Sequence, residues 1–192
     1  MELELPATKV IYKLPEILSA TEVQAIIKAT DNIKHKTLLM VIYSAGLRVS
    51  EAARLKLADI DNKRMTIHIR CSKNGKSRLV ILSPVVLEQL RAYWRYCEFK
   101  DYIFPGKGND HITTSAISAI YKKAKKTAEI KKLGGIHALR HAFATHSLES
   151  GTNLFVIKQL LGHASIHSTV RYLSFIPNKN SNIKSPIDQL SI

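Results

Sequence analysis

The sequence has little cysteine, few acidic residues and no long hydrophobic run. Its two cysteines, Cys71 and Cys97, are far apart and belong to no CxxC pair, which argues against a disulfide framework and against a zinc site. No apolar stretch approaches the roughly 20 residues that cross a bilayer. The N-terminus also lacks the basic-then-apolar layout of a signal peptide. We therefore expect a cytoplasmic protein with reduced thiols, without a membrane span or a bound metal.

The shortage of acidic residues leaves a large positive charge. The 192 residues include 29 Lys and Arg but only 15 Asp and Glu, so the formal net charge is +14. Such an excess costs self-repulsion unless a polyanion neutralises it. Nucleic acid is the first partner that this charge indicates, followed by an anionic membrane surface.

Hydrophobic periodicity predicts a mostly helical chain. Ser19 and Glu22 form a capping-box pattern before a first helix. A second helix, apolar on most sides and therefore buried, is predicted to end at Gly46. The helices predicted after Gly46 are 50–55, 84–97, 113–128, 137–149 and 153–161, and a last one begins near Ser165 and carries Tyr172.

One segment has the alternation of β structure. Met65, Ile67 and Ile69 alternate with polar residues, as in a half-buried strand. Asn74-Gly75 favours a type I′ hairpin turn, and a returning strand is predicted over 78–82. The predicted fold class is mainly α with a small antiparallel β-hairpin sheet, that is, α+β.

Basic and hydrogen-bonding residues gather where the predicted helices and strands begin or end. They occupy a helix-to-helix joint, the hairpin next to its tip, the first turn of one helix, the position just past the end of another, and the last helix. In chain order they are Arg48, Glu51, Lys73, His137, Arg140, His163 and Tyr172.

These residue types could break a phosphodiester without a metal ion or another cofactor. Arg48 and Arg140 would offer planar forks of donors to the non-bridging oxygens, whose negative charge grows in the transition state. A tyrosine hydroxyl has a pKa of about 10 and needs help to attack. His137 could accept its proton or tune the site, and His163 could donate to phosphate. Lys73 could give a proton to the leaving 5′-oxygen.

Three segments, GLRVSE, HALRHAFATH and LLGHASIHSTVRY, resemble the conserved boxes of the tyrosine recombinases, the phage integrase and Xer-type superfamily. The resemblance covers about residues 15–175 and includes the lysine hairpin. It implies a site-specific DNA recombinase that serves integration, excision or resolution. Tyr172 would form a 3′-phosphotyrosine and release a 5′-OH, without ATP. The residues that would activate the scissile phosphate are Arg48, Lys73, His137, Arg140 and His163, and Glu51 would support them from a second layer.

The resemblance also implies a domain organisation and a partner. Residues 1–14 are predicted as a lead-in, 15–175 as the catalytic domain and 176–192 as a C-terminal tail. Recombining members of the family usually carry an N-terminal core-binding domain as well. We expect none within these residues, so the chain is either a fragment or acts without that domain. Double-stranded DNA would be the partner, bound by a homo-tetramer on synapsed DNA. The tail would dock onto a neighbouring protomer through its apolar residues, which are Ile183, Ile187, Leu190 and Ile192.

Other basic residues are candidates for contact with the DNA backbone. Six lysines face one glutamate within 121–132. A run of this kind is equally well interpreted as a solvated helix face. The candidates for DNA binding are Lys76, Arg78, Lys122, Lys123, Lys125 and Lys126.

Two other function classes remain open. A type IB topoisomerase-like enzyme that nicks and relaxes DNA would share this chemistry without a synapse, and an inactive DNA-binding accessory module would need only the charge. A zinc-protease helix is less favoured, because Ala138 occupies the place of the glutamate that follows the first histidine of HExxH. We interpret His141 and His146 as structural.

Overall fold

The computed structural model describes residues 16–70, 77–108 and 110–175. Within these ranges the chain is mainly helical with one small antiparallel sheet, which confirms the predicted fold class. The predicted lead-in, the predicted tail and the hairpin tip, with Lys73, Lys76 and Asn74-Gly75, lie outside the described residues. The helices are α1 Ala20–Lys28, α2 Ile33–Ala45, α3 Val49–Ala53, α4 Pro84–Cys97, α5 Thr114–Thr127, α6 His137–Glu149, α7 Leu154–Leu161 and α8 His167–Val170, with 3-10 turns at Leu57–Asp59 and Arg171–Phe175.

Local sequence signals account for most helix boundaries. The Ser19 side chain accepts from the Glu22 backbone N–H, and the Glu22 carboxylate accepts from the Ser19 N–H at 2.7 Å, which confirms the capping box of α1. Thr113 caps α5 in the same way, through the N–H of Ala116. The predicted start and end of α4 and α6 match the structure residue for residue.

The sheet contains one strand more than the sequence predicted. Strands β2 Thr66–Ile69 and β3 Arg78–Ile81 pair antiparallel, with Ile67 opposite Val80. A third strand, β1 Ile60–Asp61, pairs with β2 on its other edge. Two residues are too short for an alternation to be visible in the sequence. Met65 was expected inside the strand, but it precedes β2 with a φ of +54°, so it turns the chain into the strand.

The core is built around α2, which packs against α4 and α6. As predicted, this helix is buried on most sides, including Leu38, Leu39 and Ile42. The small residues Ala142 and Ala144 of α6 are fully buried, and small side chains of this kind allow close packing between α6 and α2. None of the described helices is long and apolar enough to cross a membrane.

Gly46, which ends α2, is required by both its backbone and its surroundings. Its φ is +59°, a left-handed conformation that favours glycine. A Cβ at this position would lie 2.4 Å from Cδ1 of Phe143 and 3.0 Å from Cδ2 of Leu161. The absence of a side chain therefore lets α2 end against α6 and α7.

The last predicted helix is interrupted in the structure. Helix α8 has only four residues, and Tyr172 lies in the 3-10 turn Arg171–Phe175 that follows it. The β-branched pair Thr169-Val170 has low helix propensity at this point. The tighter turn accompanies an inward position of Tyr172, whose exposed fraction is 2%.

Gly46→Ala is expected to destabilise the protein by roughly 3 kcal/mol or more, because the left-handed conformation costs about 1–2 kcal/mol for a residue with Cβ and overpacking against Phe143 adds about 1–3 kcal/mol. Gly151 is the matched control, since its φ is +88° but a Cβ there would meet nothing within 4 Å. Chemical denaturation of both variants measures the difference. Equal losses for the two variants would contradict the packing role of Gly46.

Candidate active site

The ends of several elements bring most of the predicted catalytic residues together. Arg48 precedes α3, Arg140 lies in the first turns of α6, and His163 follows the end of α7. Tyr172 packs against α6, and its ring stacks with that of His163. Lys73, which the sequence predicted for this site, lies outside the described residues.

A buried carboxylate, Glu51, organises the arginines. Its side chain is only 2% exposed. It accepts from the Nη1 of Arg48 at 2.8 Å and also from the backbone N–H of that residue. Both of its oxygens accept from Arg78, each at 2.8 Å, and Nη1 of Arg140 lies 3.9 Å away. Glu51 was predicted to support the catalytic arginines from behind, and in the structure it is a single anion among three guanidinium groups.

The ionisation of Glu51 follows from these contacts. Burial alone would raise the pKa of the carboxyl, but the hydrogen bonds from Arg78 and from the Arg48 backbone lower the pKa to about 2. The carboxylate therefore stays charged at any pH at which the protein is expected to work. One negative charge against three positive charges leaves the cluster with a surplus of two, which favours binding of an anion.

Backbone carbonyls at two helix ends hold the guanidinium groups in place. Arg140, whose side chain is 6% exposed, donates to Gly46 O at 2.7 Å and to Leu161 O at 2.6 Å. Arg48 donates to Gly162 O at 3.1 Å. Carbonyls at the C-terminal end of a helix have no partner inside the helix and carry partial negative charge, so cations are stabilised there. Burial and the nearby Arg48 lower the pKa of Arg140 to about 10, and it remains charged at neutral pH.

Arg78, which was predicted to contact DNA, is bonded within the protein in this structure. Its side chain is 9% exposed, and its guanidinium donates to Glu51 twice and to Leu160 O at 2.7 Å. A Cβ on Gly162 would lie 3.1 Å from its Cδ, so this glycine makes room for it. We therefore assign Arg78 to the positioning of Glu51. Its neighbours in sequence gave no sign of a partner 27 residues away.

His163 and Tyr172 form a stacked pair. Their rings are 6.4 Å apart between centroids and inclined by 9°. Nδ1 of His163 is bonded to Oγ1 of the buried Thr169 at 2.9 Å, which fixes the ring. Burial, together with Arg140 and Arg48, lowers the pKa of His163 to about 4. His163 is therefore neutral at neutral pH.

The hydroxyl of Tyr172 contacts His141, which was interpreted from its sequence context as a structural residue. Nδ1 of His141 lies 2.9 Å from the Tyr172 Oη. Burial raises the pKa of Tyr172, against the opposing effect of Arg140 and Arg171. His137, which was predicted to serve the hydroxyl, lies at the exposed rim. Partial burial of its ring and the charges of Arg140 and Arg48 lower the pKa of His137.

The lysine-rich segment divides into an outward set and a structural set. Lys122, Lys123 and Lys126 are exposed on α5. The ammonium of Lys125 is instead bonded to Lys132 O, and Lys132 in turn pairs with Glu22 at 2.7 Å. A groove of about 640 Å³ runs between α5 and the segment 134–137, and it reaches His137. Of the exposed lysines, Lys122 lines this groove, and Lys125 lines it as well.

Comparison with known proteins gives consistent matches along almost the whole chain. Residues 16–177 match the phage integrase family. A putative integrase/recombinase of Sinorhizobium fredii, y4qK, is 43% identical over 97% of this chain and 61% of its own length. The tyrosine recombinase XerA of Pyrococcus horikoshii is 34% identical over 88% of this chain and 60% of its own length. The chain thus spans about three fifths of these two curated relatives.

Two solved structures share the fold. The crystal structure of XerA recombinase superposes with a TM-score of 0.81 at 28% identity, over 90% of this chain and 67% of that one. The XerH site-specific recombinase, in a post-cleavage complex with a palindromic difH substrate, gives a TM-score of 0.78 at 25% identity. That match covers 88% of this chain and 52% of the XerH chain.

Glu51→Gln is expected to lower the free energy of unfolding at pH 7 by roughly 3–5 kcal/mol, because it leaves buried guanidinium groups without their anion. Because the pKa of Glu51 is lowered, its contribution to the free energy of unfolding is complete above pH 4.5 and is lost as the pH falls toward about 2. The difference between wild type and variant should therefore shrink over that interval.

Denaturant unfolding of both proteins at a series of pH values measures this difference. Glu88→Gln is the matched control, since Glu88 pairs with Arg91 on an exposed helix face. A loss at pH 7 no larger than that of the control would contradict the organising role of Glu51.

Proposed function

The chain belongs to the phage integrase family, and from this premise we propose that it is the catalytic domain of a site-specific DNA recombinase that cuts and rejoins DNA through Tyr172. The observation that carries the proposal is the arginine cluster on Glu51 beside the stacked pair of His163 and Tyr172. The cluster supplies fixed positive charge, and the pair supplies a nucleophile within the same site.

The arginines would act on the scissile phosphate. Arg48 and Arg140 each use part of their donor set on Glu51 or on helix-end carbonyls, and the remaining N–H groups are free to bind the non-bridging oxygens. Because the guanidinium groups are already held, they need not reorganise as negative charge grows in the pentacoordinate transition state. His163 would add a hydrogen bond from Nε2, since its Nδ1 is bonded to Thr169.

The reaction exchanges one ester for another. Oη of Tyr172 attacks phosphorus, the bond to the 5′-oxygen breaks, and a 3′-phosphotyrosine forms. Lys73 is the proposed donor of the proton that the leaving 5′-oxygen takes up, and His137 would bind phosphate from the rim. Attack by a 5′-OH of another strand reverses the step and needs no energy-rich cofactor.

Duplex DNA is the proposed partner, and the exposed lysines of α5 are the proposed backbone contacts. The XerH relative is a DNA complex, and the groove beside α5 in this chain connects Lys122 with His137. We further propose that residues 15–175 form the catalytic domain and that four copies act on synapsed DNA. The family match spans 16–177, which supports the domain boundaries.

A topoisomerase-like activity would use the same groups on a single duplex. The names of the relatives, which are integrases and recombinases, favour recombination. Transfer of a labelled strand from one duplex to another separates the two activities, and a binding module would form no covalent adduct at all.

Tyr172→Phe is expected to abolish the covalent adduct, because it removes the attacking oxygen and leaves the buried ring in place. The probe is a pool of nicked duplexes with a randomised core, each of which loses a short fragment on cleavage and traps the adduct. Sequencing the DNA captured by wild type defines a working substrate. Adduct formation by Tyr172→Phe, or its absence with wild type on DNA that it binds, would contradict the proposal.

The triple variant Lys122→Ala, Lys123→Ala, Lys126→Ala is expected to flatten the salt dependence of duplex binding. Each lost phosphate contact lowers the slope of log affinity against log salt by about 0.9. Lys100→Ala is the control, because Lys100 is exposed in the segment after α4 and does not line the groove. Fluorescence anisotropy over a salt series measures the slopes. An unchanged slope for the triple variant would assign these lysines to a solvated face.

A further inference from the structure

The partly buried hydrogen bond between Tyr172 and His141 has no role in the chemistry described so far. The Oη to Nδ1 distance is 2.9 Å, within the range at which a proton is passed directly. Tyr172 is 2% exposed, so bulk water has almost no access to its ring. The proton that leaves Oη during attack therefore needs an acceptor inside the protein.

A neutral His141 has one ring nitrogen that can accept a proton. Burial, followed by the nearby charges of His137, Arg140 and Arg171, lowers the pKa of His141 to about 4. The neutral ring carries one proton, and a hydroxyl that donates to Nδ1 requires that proton to be on Nε2. In this tautomer the hydrogen bond already points from the nucleophile to the acceptor.

The other two histidines of the site are placed less well for this task. His163 lies face to face with the Tyr172 ring, and its Nδ1 is already bonded to Thr169. His137 is at the exposed rim. Of the histidines in the part of the chain that the structure describes, His141 is the one whose hydrogen bond to the Tyr172 hydroxyl is observed.

We propose that His141 is a catalytic residue that accepts the Oη proton as Tyr172 attacks phosphorus. This assignment rests on the proposed function of the site. The Oη–H bond breaks and an Nδ1–H bond forms on His141, while the Oη–P bond forms and the bond to the 5′-oxygen breaks. The 5′-oxygen takes its proton from a separate donor, for which Lys73 is the candidate. On religation the proton returns from His141 to Oη.

The surrounding cations connect this step to DNA binding. Arg140 and Arg171 oppose the formation of an imidazolium on His141 while the site is empty. A phosphate bound between Arg48 and Arg140 brings negative charge that offsets them, so His141 becomes a better proton acceptor once the substrate is in place. Burial, which is the largest cause of the lowered pKa of His141, is not offset by the phosphate, so this effect assists the proton transfer and does not by itself switch it on.

The test compares two histidines of the same helix. His141→Asn keeps an acceptor oxygen near the place of Nδ1 but cannot take up a proton. His146→Asn is the matched control, because Nδ1 of His146 is bonded at 2.9 Å to the hydroxyl of Tyr43 and not to that of Tyr172. Single-turnover adduct formation is measured on a duplex captured by wild type from the randomised pool. Thermal unfolding and the affinity for the same duplex verify that each variant is folded and binds.

His141→Asn is expected to slow adduct formation by about 10²–10⁴-fold, which is the usual contribution of a general base. The rate of adduct formation by His146→Asn is expected to stay close to that of wild type, because this variant removes no such contribution. A substrate with a 5′-bridging sulfur should not restore His141→Asn, since the defect concerns the nucleophile and not the leaving group. Imidazole added to His141→Gly should restore part of the rate.

Three results would overturn the assignment. A rate for His141→Asn within about threefold of wild type would reduce His141 to a hydrogen-bonding partner and leave the proposed function intact. Recovery on the bridging-sulfur substrate would move its role to the leaving group. Failure of wild type itself to form an adduct would contradict the proposed function, and the assignment with it.

Discussion

The ion pair between Glu51 and Arg78 is the interaction on which the rest of this site depends. Three guanidinium groups converge on Glu51, and without an internal anion their repulsion would separate them. The Glu51 carboxylate, 2% exposed, provides that anion. It is charged because Arg78 and the Arg48 backbone donate to it, and it keeps Arg48 in one orientation in return. A buried carboxylate thus makes a cationic site possible, and the cluster keeps a positive surplus for its substrate.

The helix ends explain why this fold can present such a site. Helices α2 and α7 both end in glycine at positive φ, and their last carbonyls point toward the arginines. Arg140 bonds to a carbonyl from each end, so the relative placement of the two helices sets the position of its guanidinium. Gly46 and Gly162 allow that approach, because a Cβ at either position would press on Phe143 or Arg78. The packing of the core therefore determines the geometry of the site.

Local sequence patterns predicted most of the helices and strands. The contacts between residues far apart in the chain could not be predicted from those patterns. Capping, periodicity and turn residues placed α4 and α6 correctly, and the Gly46 break is where it was expected. Strand β1 was missed because two residues carry no period. The contacts of Arg78 and His141 were missed for another reason. Their partners, Glu51 and Tyr172, lie 27 and 31 residues away, and no spacing rule connects residues across that distance. The order of the predicted catalytic residues was visible in the sequence, but the hydrogen bonds between them required the fold.

By holding the arginines, Glu51 is expected to act on the chemistry of the site and not only on its stability. The most direct measurement is the single-turnover rate of phosphotyrosine formation by Glu51→Gln, at a temperature where the variant is fully folded. We expect a rate about 10²–10³-fold below wild type, which is the usual effect of losing an oriented charge-stabilising donor, with duplex affinity changed only a few-fold. A wild-type rate in a folded variant would show that Glu51 serves stability alone.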